Sequence, residues 1–123
     1  EATTTTAVQN ATASKVLATT QIGVNYLYEI APTASPNVTC FMNASIYTGT
    51  AVSGDVDCVK KPEGYTEPVN GKAVIESATR VGQNTFYEVT PATRPDLRCY
   101  VSSTIYSGTA VSGSVQCLPK TGL

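Results

Sequence analysis

Residues 46–58 of this chain read IYTGTAVSGDVDC and residues 105–117 read IYSGTAVSGSVQC, and this repeated stretch decides the fold. The match extends towards the N-terminus without a gap. Residues 22–58 align with residues 81–117 at a constant offset of 59, and 17 of the 37 aligned positions are identical. Self-similarity at a constant offset indicates two copies of one structural unit.

The four cysteines occupy the same positions in the two copies, because Cys40 and Cys58 align with Cys99 and Cys117. An even number of cysteines in a short chain is typical of a disulfide framework. A zinc site would need close cysteine pairs or histidines, and the chain has no histidine. The repeat favours one disulfide within each copy, Cys40–Cys58 and Cys99–Cys117, over a swapped pairing between the copies. Each bridge closes a short loop and is worth about 3 kcal/mol in the chain-entropy model.

Local patterns predict strands throughout. Runs of β-branched and aromatic residues separated by glycine and proline are typical of short strands, and no window shows helical periodicity. We expect strands over residues 16–22, 24–30, 38–42, 45–48 and 51–58 of the first copy, and a leading strand over residues 74–81 of the second. Gly54 lies inside the last run and predicts a bulge or a close backbone approach.

The predicted fold class is therefore all-β, with two tandem small β-sandwich-like or barrel-like modules, a repeat of about 59 residues and one internal disulfide in each module. A flexible Thr-rich arm (1–15) precedes the first module (16–59). This arm is either a frayed terminus or a strand that adds to the sheet edge of a neighbour. A linker with two prolines (60–71) leads to the second module (72–123).

Composition excludes several classes of function. Only 14% of the residues are charged and the net charge is −1, so no basic surface for nucleic acid is expected. No apolar tract reaches the length of about 18 residues that a membrane span needs. Without histidine, Ser-His-Asp and Cys-His catalysis are absent, and no Gly-rich phosphate loop is present. We predict that the chain is not an enzyme and uses no cofactor or metal.

Two pairs of acidic residues come nearest to a chemical site. Glu29 and Glu88 are equivalent, and two carboxylates can hydrolyse a glycosidic bond if they flank it at about 5–9.5 Å. Their equivalence places them on separate modules, which argues against that role. Asp55 and Asp57 align with a serine and a glutamine. We therefore interpret them as a solvated strand face rather than a cation site.

Two features bear on location. Residues 118–122 read LPKTG, which resembles the L-P-x-T-G sorting signal of Gram-positive sortase-anchored surface proteins. The resemblance covers these five residues and implies attachment to a cell wall; a hydrophobic segment and a basic tail would then follow in a longer native chain. Alternatively, these residues are the end of the second copy, since Lys120 aligns with Lys61. N-x-[ST] sequons make Asn10, Asn37 and Asn43 candidate N-glycosylation sites.

Charge is distributed unequally between the copies. Residues 1–59 hold one basic and four acidic residues (net −3), and residues 60–123 hold seven basic and five acidic residues (net +2). Arg94 and Arg98 stand where the first copy has Ser35 and Thr39. We expect the acidic and basic copies to associate, either between molecules or within one molecule. Because salt screens exposed charges over about 8–10 Å, either association should weaken with salt.

The candidate binding residues are Tyr26, Tyr28 and Tyr87, together with Arg94 and Arg98. Tyrosine combines rigid apolar area with a hydroxyl group, which suits both protein and sugar recognition. We expect Tyr47 and Tyr106 to be structural.

The sequence thus predicts a secreted or cell-surface, non-catalytic interaction or adhesion module that binds a protein or carbohydrate partner and self-associates. It predicts binding to neither nucleic acid nor the membrane interior. Two other functions stay open: a self-assembling extracellular filament or surface-layer subunit, and a small secreted effector, toxin or inhibitor.

Overall fold

The computed structural model describes residues 3–4, 11–45, 51–52, 54–105, 110–111 and 113–123. The strands are β1 (Thr3–Thr4), β2 (Lys15–Ile22), β3 (Asn25–Ala31), β4 (Val38–Ser45), β5 (Ala51–Val52), β6 (Gly54–Lys60), β7 (Val74–Val81), β8 (Asn84–Thr90), β9 (Leu97–Thr104), β10 (Ala110–Val111) and β11 (Gly113–Pro119). None of the described residues is helical. The all-β prediction is confirmed.

The strands form two four-stranded antiparallel sheets with the same topology. The first has the order β2-β3-β4-β6, with the short β1 added beside β2, and the second has the order β7-β8-β9-β11. The short strands β5 and β10 form a separate parallel pair. The bounds of β2, β3, β4 and β6 recur 59 residues later in β7, β8, β9 and β11. The leading hairpins also share an irregularity in register, between Val16 and Ala18 in one and between Ile75 and Ser77 in the other.

The same tight turn begins both sheets. Two residues connect β2 to β3 and β7 to β8, and the first of the two is a glycine with positive φ: Gly23 at 61° and Gly82 at 60°. A two-residue hairpin loop with glycine first is typical of a type II′ turn, whose twist matches that of the flanking strands.

Each disulfide joins two residues that face each other across neighbouring strands. Cys40 pairs with Cys58 between β4 and β6, and Cys99 pairs with Cys117 between β9 and β11. The Cα atoms of each pair are 4.0 Å apart. The prediction of one disulfide within each module is confirmed.

Each sheet has two unlike faces, because side chains alternate along a strand. One face carries the disulfide, and we call it the cysteine face. The other carries Phe41 in the first sheet and the equivalent Tyr100 in the second, and we call it the Phe/Tyr face. Each module is one sheet, so the sandwich arises between the modules and not within either.

The two sheets pack through unlike faces. From the Phe/Tyr face of the first sheet, the core takes Ile22, Leu27 and Phe41, each fully buried. From the cysteine face of the second sheet, it takes Val89, Leu97, Cys99, Val101, Val115 and Cys117. Burial of each large apolar side chain is worth about 1.5–3 kcal/mol. The core therefore lies between the copies, and each copy buries a different face.

Several details refine the predicted boundaries. β6 runs through Lys60, and β7 begins at Val74. Within the arm, Thr3 and Thr4 pair with β2 of the same chain, whereas the sequence suggested addition to the sheet edge of a neighbour. A Cβ on Gly54 would lie 2.9 Å from the Asn43 carbonyl oxygen, which confirms the predicted close approach. The strand predicted over 45–48 falls mostly outside the described residues. In the described part of the chain, no helix is long and apolar enough to cross a membrane.

Candidate functional site: the interface between the copies and the two outward faces

Glu29 anchors the first copy to a turn of the second. Its side chain is fully buried on the Phe/Tyr face. The carboxylate accepts hydrogen bonds from the backbone N–H groups of Ala92 and Thr93 at 2.9 and 2.8 Å, and from the Thr93 hydroxyl at 2.6 Å. The equivalent Glu88 is half-buried and accepts a hydrogen bond from the Ser77 hydroxyl at 2.6 Å. Two glutamates in the same local sequence therefore have different roles.

Arg94 makes the reciprocal contact from the second copy to the first. It is 1% exposed. Its guanidinium donates to the carbonyl oxygens of Val59 and Lys60 at 3.3 and 3.1 Å, and to the Thr39 hydroxyl at 3.3 Å. Two further hydrogen bonds, each of 3.0 Å, join it to the carboxylate of Asp96 in a forked ion pair. These bonds hold the pKa of Asp96 below its usual value.

The linker covers Arg94 from one side. The guanidinium carbon lies 5.5 Å from the centroid of the Tyr65 ring, and the Tyr65 hydroxyl donates to the Thr93 carbonyl oxygen. Burial is the main cause that raises the pKa of Tyr65. Lys61 and Glu67 form an ion pair of 3.0 Å in the same segment. The linker is therefore packed against the sandwich.

Asp55 and Asp57 accept hydrogen bonds from backbone N–H groups at one edge of the second sheet. The backbone N–H groups of Val115 and Cys117 on β11 donate to these carboxylates at 3.0 and 2.7 Å. β11 is an edge strand, so these N–H groups have no neighbouring strand of their own sheet to bond. The expectation of a merely solvated strand face is wrong, because this face contacts the second copy.

Side chains of Asn25 and Asn43 in the first copy form hydrogen bonds with the second copy at the end of the interface away from Arg94. The Asn43 amide donates to the carbonyl oxygens of Ser102 and Ser114 at 3.3 and 3.0 Å. The Ser103 hydroxyl donates to the Asn25 side chain at 2.9 Å. Asn43 is fully buried, so a glycan on its amide nitrogen would displace the second copy. The expectation of a glycosylation site at Asn43 is corrected by this packing.

The cysteine face of the first sheet points outward and is largely apolar. Met42 is 36% exposed and Val56 is 57% exposed. Tyr26 and Tyr28 lie on the same face, half-buried, with ring centroids 5.8 Å apart. Burial, and secondarily the neighbouring Tyr26, raises the pKa of Tyr28. A shallow pocket of about 270 Å³ on this face is lined by Met42, Ala44, Gly54, Asp55 and Val56.

The Phe/Tyr face of the second sheet also points outward. Val81 is 62% exposed, Phe86 is 41% exposed and Leu118 is 37% exposed. The rings of Phe86 and Tyr100 stack with centroids 6.0 Å apart. Arg98 lies on this face at intermediate exposure.

The structure separates the binding residues that the sequence suggested. Tyr26 and Tyr28 are on one outward face and Arg98 is on the other, whereas Tyr87 and Arg94 belong to the interface between the copies. A Cβ on Gly23 would lie 2.9 Å from the Tyr87 hydroxyl oxygen. Arg94 thus bonds to the first copy of the same molecule. This is one of the two associations that the unequal charge of the copies predicted.

The other predicted positions are partly outside the described residues. Asn37 is exposed at the turn between β3 and β4. Asn10, Tyr47 and Tyr106 lie outside the described residues. Among the residues that the structure does describe, no group of three or more acidic, cysteine or histidine side chains is placed to hold a metal ion.

The two disulfides differ in exposure, and we expect them to differ in reactivity. Cys58 is exposed, whereas Cys99 and Cys117 are 0% and 5% exposed inside the core. Because thiol–disulfide exchange requires access to sulfur, limiting reductant should open Cys40–Cys58 well before Cys99–Cys117. Alkylation followed by peptide mass spectrometry measures the order. Equal rates of opening would contradict this packing.

The sequence predicted an association between the acidic and basic copies, but it did not assign Glu29, Asp55 and Asp57 to that contact. Glu29, Asp55 and Asp57 are three of the four acidic residues in the first 59 residues, and all three accept hydrogen bonds from backbone N–H groups of the second copy.

Comparison with protein families, with curated proteins and with solved structures finds no match for this chain.

Proposed function

We propose that this chain is a non-catalytic extracellular interaction protein, which binds a protein partner through its two outward sheet faces. The observation that carries the proposal is the set of exposed apolar side chains on both faces. In a two-sheet sandwich the outward faces are ordinarily polar. Here the outward faces carry Met42 and Val56 on one side and Val81 and Phe86 on the other, each at least 36% exposed. Contiguous exposed apolar surface marks interaction sites.

The extracellular part of the proposal rests on the disulfides. Two disulfides indicate an oxidising compartment, because reducing compartments keep thiols free. Secretion, and attachment to a cell surface through residues 118–122, are part of the proposal.

The non-catalytic part rests on how the acidic residues are used. Glu29 is saturated by three donors and is fully buried, so it is inaccessible to a substrate. Asp55 and Asp57 accept backbone hydrogen bonds. Structural use of these carboxylates favours binding over catalysis.

A carbohydrate partner is the second candidate. The stacked Phe86 and Tyr100 rings border a shallow pocket of about 310 Å³, which Ser102, Ser114 and Gln116 also line. Aromatic faces beside hydroxyl and amide groups suit a sugar, whose rings have apolar and polar sides. This feature is confined to the second sheet, whereas the apolar character extends to both outward faces.

Site-specific photo-cross-linking tests the proposal. A photoreactive phenylalanine analogue replaces Tyr28 or Tyr100 in the full chain, with Val69 in the linker (44% exposed) as the control position. The proteins are presented to purified chain and to the surface proteins of the producing cell. We expect a discrete protein adduct from positions 28 and 100 that unlabelled chain displaces. Adducts no more abundant than from position 69 would overturn the proposal. Binding to a glycan array that only the Phe86→Ala and Tyr100→Ala variants lose would replace it with the carbohydrate candidate.

A further inference from the structure

We propose that the protein partner is a second molecule of this chain. Molecules stack head to tail, with the cysteine face of one first sheet on the Phe/Tyr face of the preceding second sheet. The inference rests on the proposed function, because it names the partner of the same two faces. The proposed contact between molecules has the same geometry as the contact between the two sheets within one molecule.

The internal contact brings equivalent residues side by side. β5 and β10 pair in parallel, with Ala51 opposite Ala110 and Val52 opposite Val111, which are positions 59 residues apart. The Asn43 amide likewise donates to the carbonyl oxygen of Ser102, its own counterpart. A two-fold axis would instead make both sheets use the same face. The contact between the two copies is therefore heterologous, because each copy uses a different face. A heterologous contact of the same kind can join a further molecule.

The outward cysteine face of the first sheet matches the buried cysteine face of the second. Within the molecule, Leu97, Val101 and Val115 are buried against the first copy, with exposed fractions of 0%, 1% and 5%. Their counterparts on the outward face are Val38, Met42 and Val56, which are apolar and of similar size. The Cys40–Cys58 disulfide occupies the place of the buried Cys99–Cys117 disulfide.

The outward Phe/Tyr face of the second sheet matches the buried Phe/Tyr face of the first in the same way. Fully buried Ile22, Leu27 and Phe41, together with Val59, which packs against the core, have as counterparts Val81, Phe86, Tyr100 and Leu118. Each replacement keeps an apolar or aromatic side chain. Both halves of the internal apolar contact are thus present again on opposite sides of the molecule, and within the described part of the chain neither packs against another sheet.

Glu88 keeps one polar contact available between molecules. It stands where Glu29 accepts from the turn at Ala92 and Thr93. The counterpart of that turn in the first copy is at residues 33–34. In the stack, Glu88 of one molecule faces the Ala34 N–H of the next, which is the counterpart of the Thr93 N–H. The counterpart of the Ala92 N–H, that of Thr33, already donates to the Ser14 hydroxyl at 3.0 Å, and Ala34 has no hydroxyl, so this contact is weaker than that of Glu29.

The other charged anchors of the internal contact, Asp55, Asp57 and Arg94, are not repeated. The counterparts of Asp55 and Asp57 are Ser114 and Gln116, and the counterpart of Arg94 is Ser35. Hydrogen bonds to charged groups are stronger than those between neutral groups. The contact between molecules is therefore weaker than the internal one and depends on protein concentration. Since it is mainly apolar, salt should not weaken it, in contrast to the charge-driven association that the sequence suggested.

Two surface variants and their mixture test the arrangement. Val56→Glu blocks the outward cysteine face and Phe86→Glu blocks the outward Phe/Tyr face, while Val69→Glu is the control in the linker. Burying an unpaired carboxylate should raise the dissociation constant by about 100-fold or more. We expect sedimentation velocity to show open-ended oligomers for the parent chain and Val69→Glu, and monomers for each face variant. An equimolar mixture of the two face variants should form dimers and nothing longer, because each retains one unblocked face.

Two further readouts report the register. As oligomers form, the Cys40–Cys58 disulfide should become as resistant to reductant as Cys99–Cys117. The photoreactive group at position 28 should cross-link to residues 81–84 of another molecule, because Tyr87 contacts Gly23 within one molecule and Tyr28 and Gly82 are their counterparts.

Three results would overturn the inference: a monomer at every protein and salt concentration, loss of association in only one face variant, or a mixture that fails to form dimers. A monomeric chain that still cross-links at both faces to a different surface protein would overturn the self-association and leave the proposed function standing. Absence of both kinds of adduct would overturn the two together.

Discussion

Replacing Arg94 by serine, the residue of the first copy at this position, should lower the free energy of unfolding by about 3 kcal/mol. The substitution leaves the carbonyl oxygens of Val59 and Lys60 without the donors they have in the interface and removes the forked ion pair to Asp96. Urea denaturation with the disulfides intact measures the change.

The matched control is Arg98→Thr, which likewise installs the residue of the first copy. Arg98 is half-exposed, and its buried Nε has no hydrogen-bond partner among the described residues, so its removal should change the unfolding free energy by less than about 1 kcal/mol. Equal losses in the two variants would show that Arg94 does not join the copies as described.

Glu29→Ala should lower the free energy of unfolding by about 3–5 kcal/mol. Two backbone N–H groups and one hydroxyl, contributed by Ala92 and Thr93, would lose their acceptor in a fully buried position. Glu29→Gln keeps one acceptor oxygen and should show an intermediate loss. Hydrogen exchange at the amides of Ala92 and Thr93 should accelerate in both variants, since these amides are the donors.

Glu88→Ala is the matched control, because Glu88 occupies the same position in the second copy and accepts from Ser77 near the surface. Measured at a protein concentration where the chain is monomeric, this variant should lose less than about 1 kcal/mol. Similar losses for Glu29→Ala and Glu88→Ala would contradict the assignment of Glu29 to the internal interface.

Most local features of the fold were accessible from the sequence. The repeat predicted the pairing of Cys40 with Cys58 and of Cys99 with Cys117, because only that pairing gives each copy an identical internal bridge. Runs of β-branched and aromatic residues predicted β2, β3 and β4 to within a few residues. These features depend on spacing along the chain, and spacing is what the repeat preserves.

The candidate site was less accessible. Asp55 and Asp57 resemble a solvated strand face because their acceptor role depends on the N–H groups of β11, about 60 residues away in sequence. Asn43 matches a glycosylation sequon, yet its amide is buried against the second copy. The charge asymmetry did contain the signal, since Arg94 and the acidic residues of the first copy act across the interface. The sequence did not show whether these charged residues join the two copies of one molecule or join different molecules.

By itself, the sequence determined the all-β class, the two equivalent modules and the disulfide within each. Only the tertiary structure decided which face each sheet buries. Alternation along a strand places Cys40 and Phe41 on opposite faces, and both faces of both copies carry apolar residues. Local pattern cannot choose between two faces of similar hydrophobicity. The choice depends on contacts between residues about 60 positions apart, such as those of Glu29 and Arg94, and it leaves one unlike face of each copy exposed.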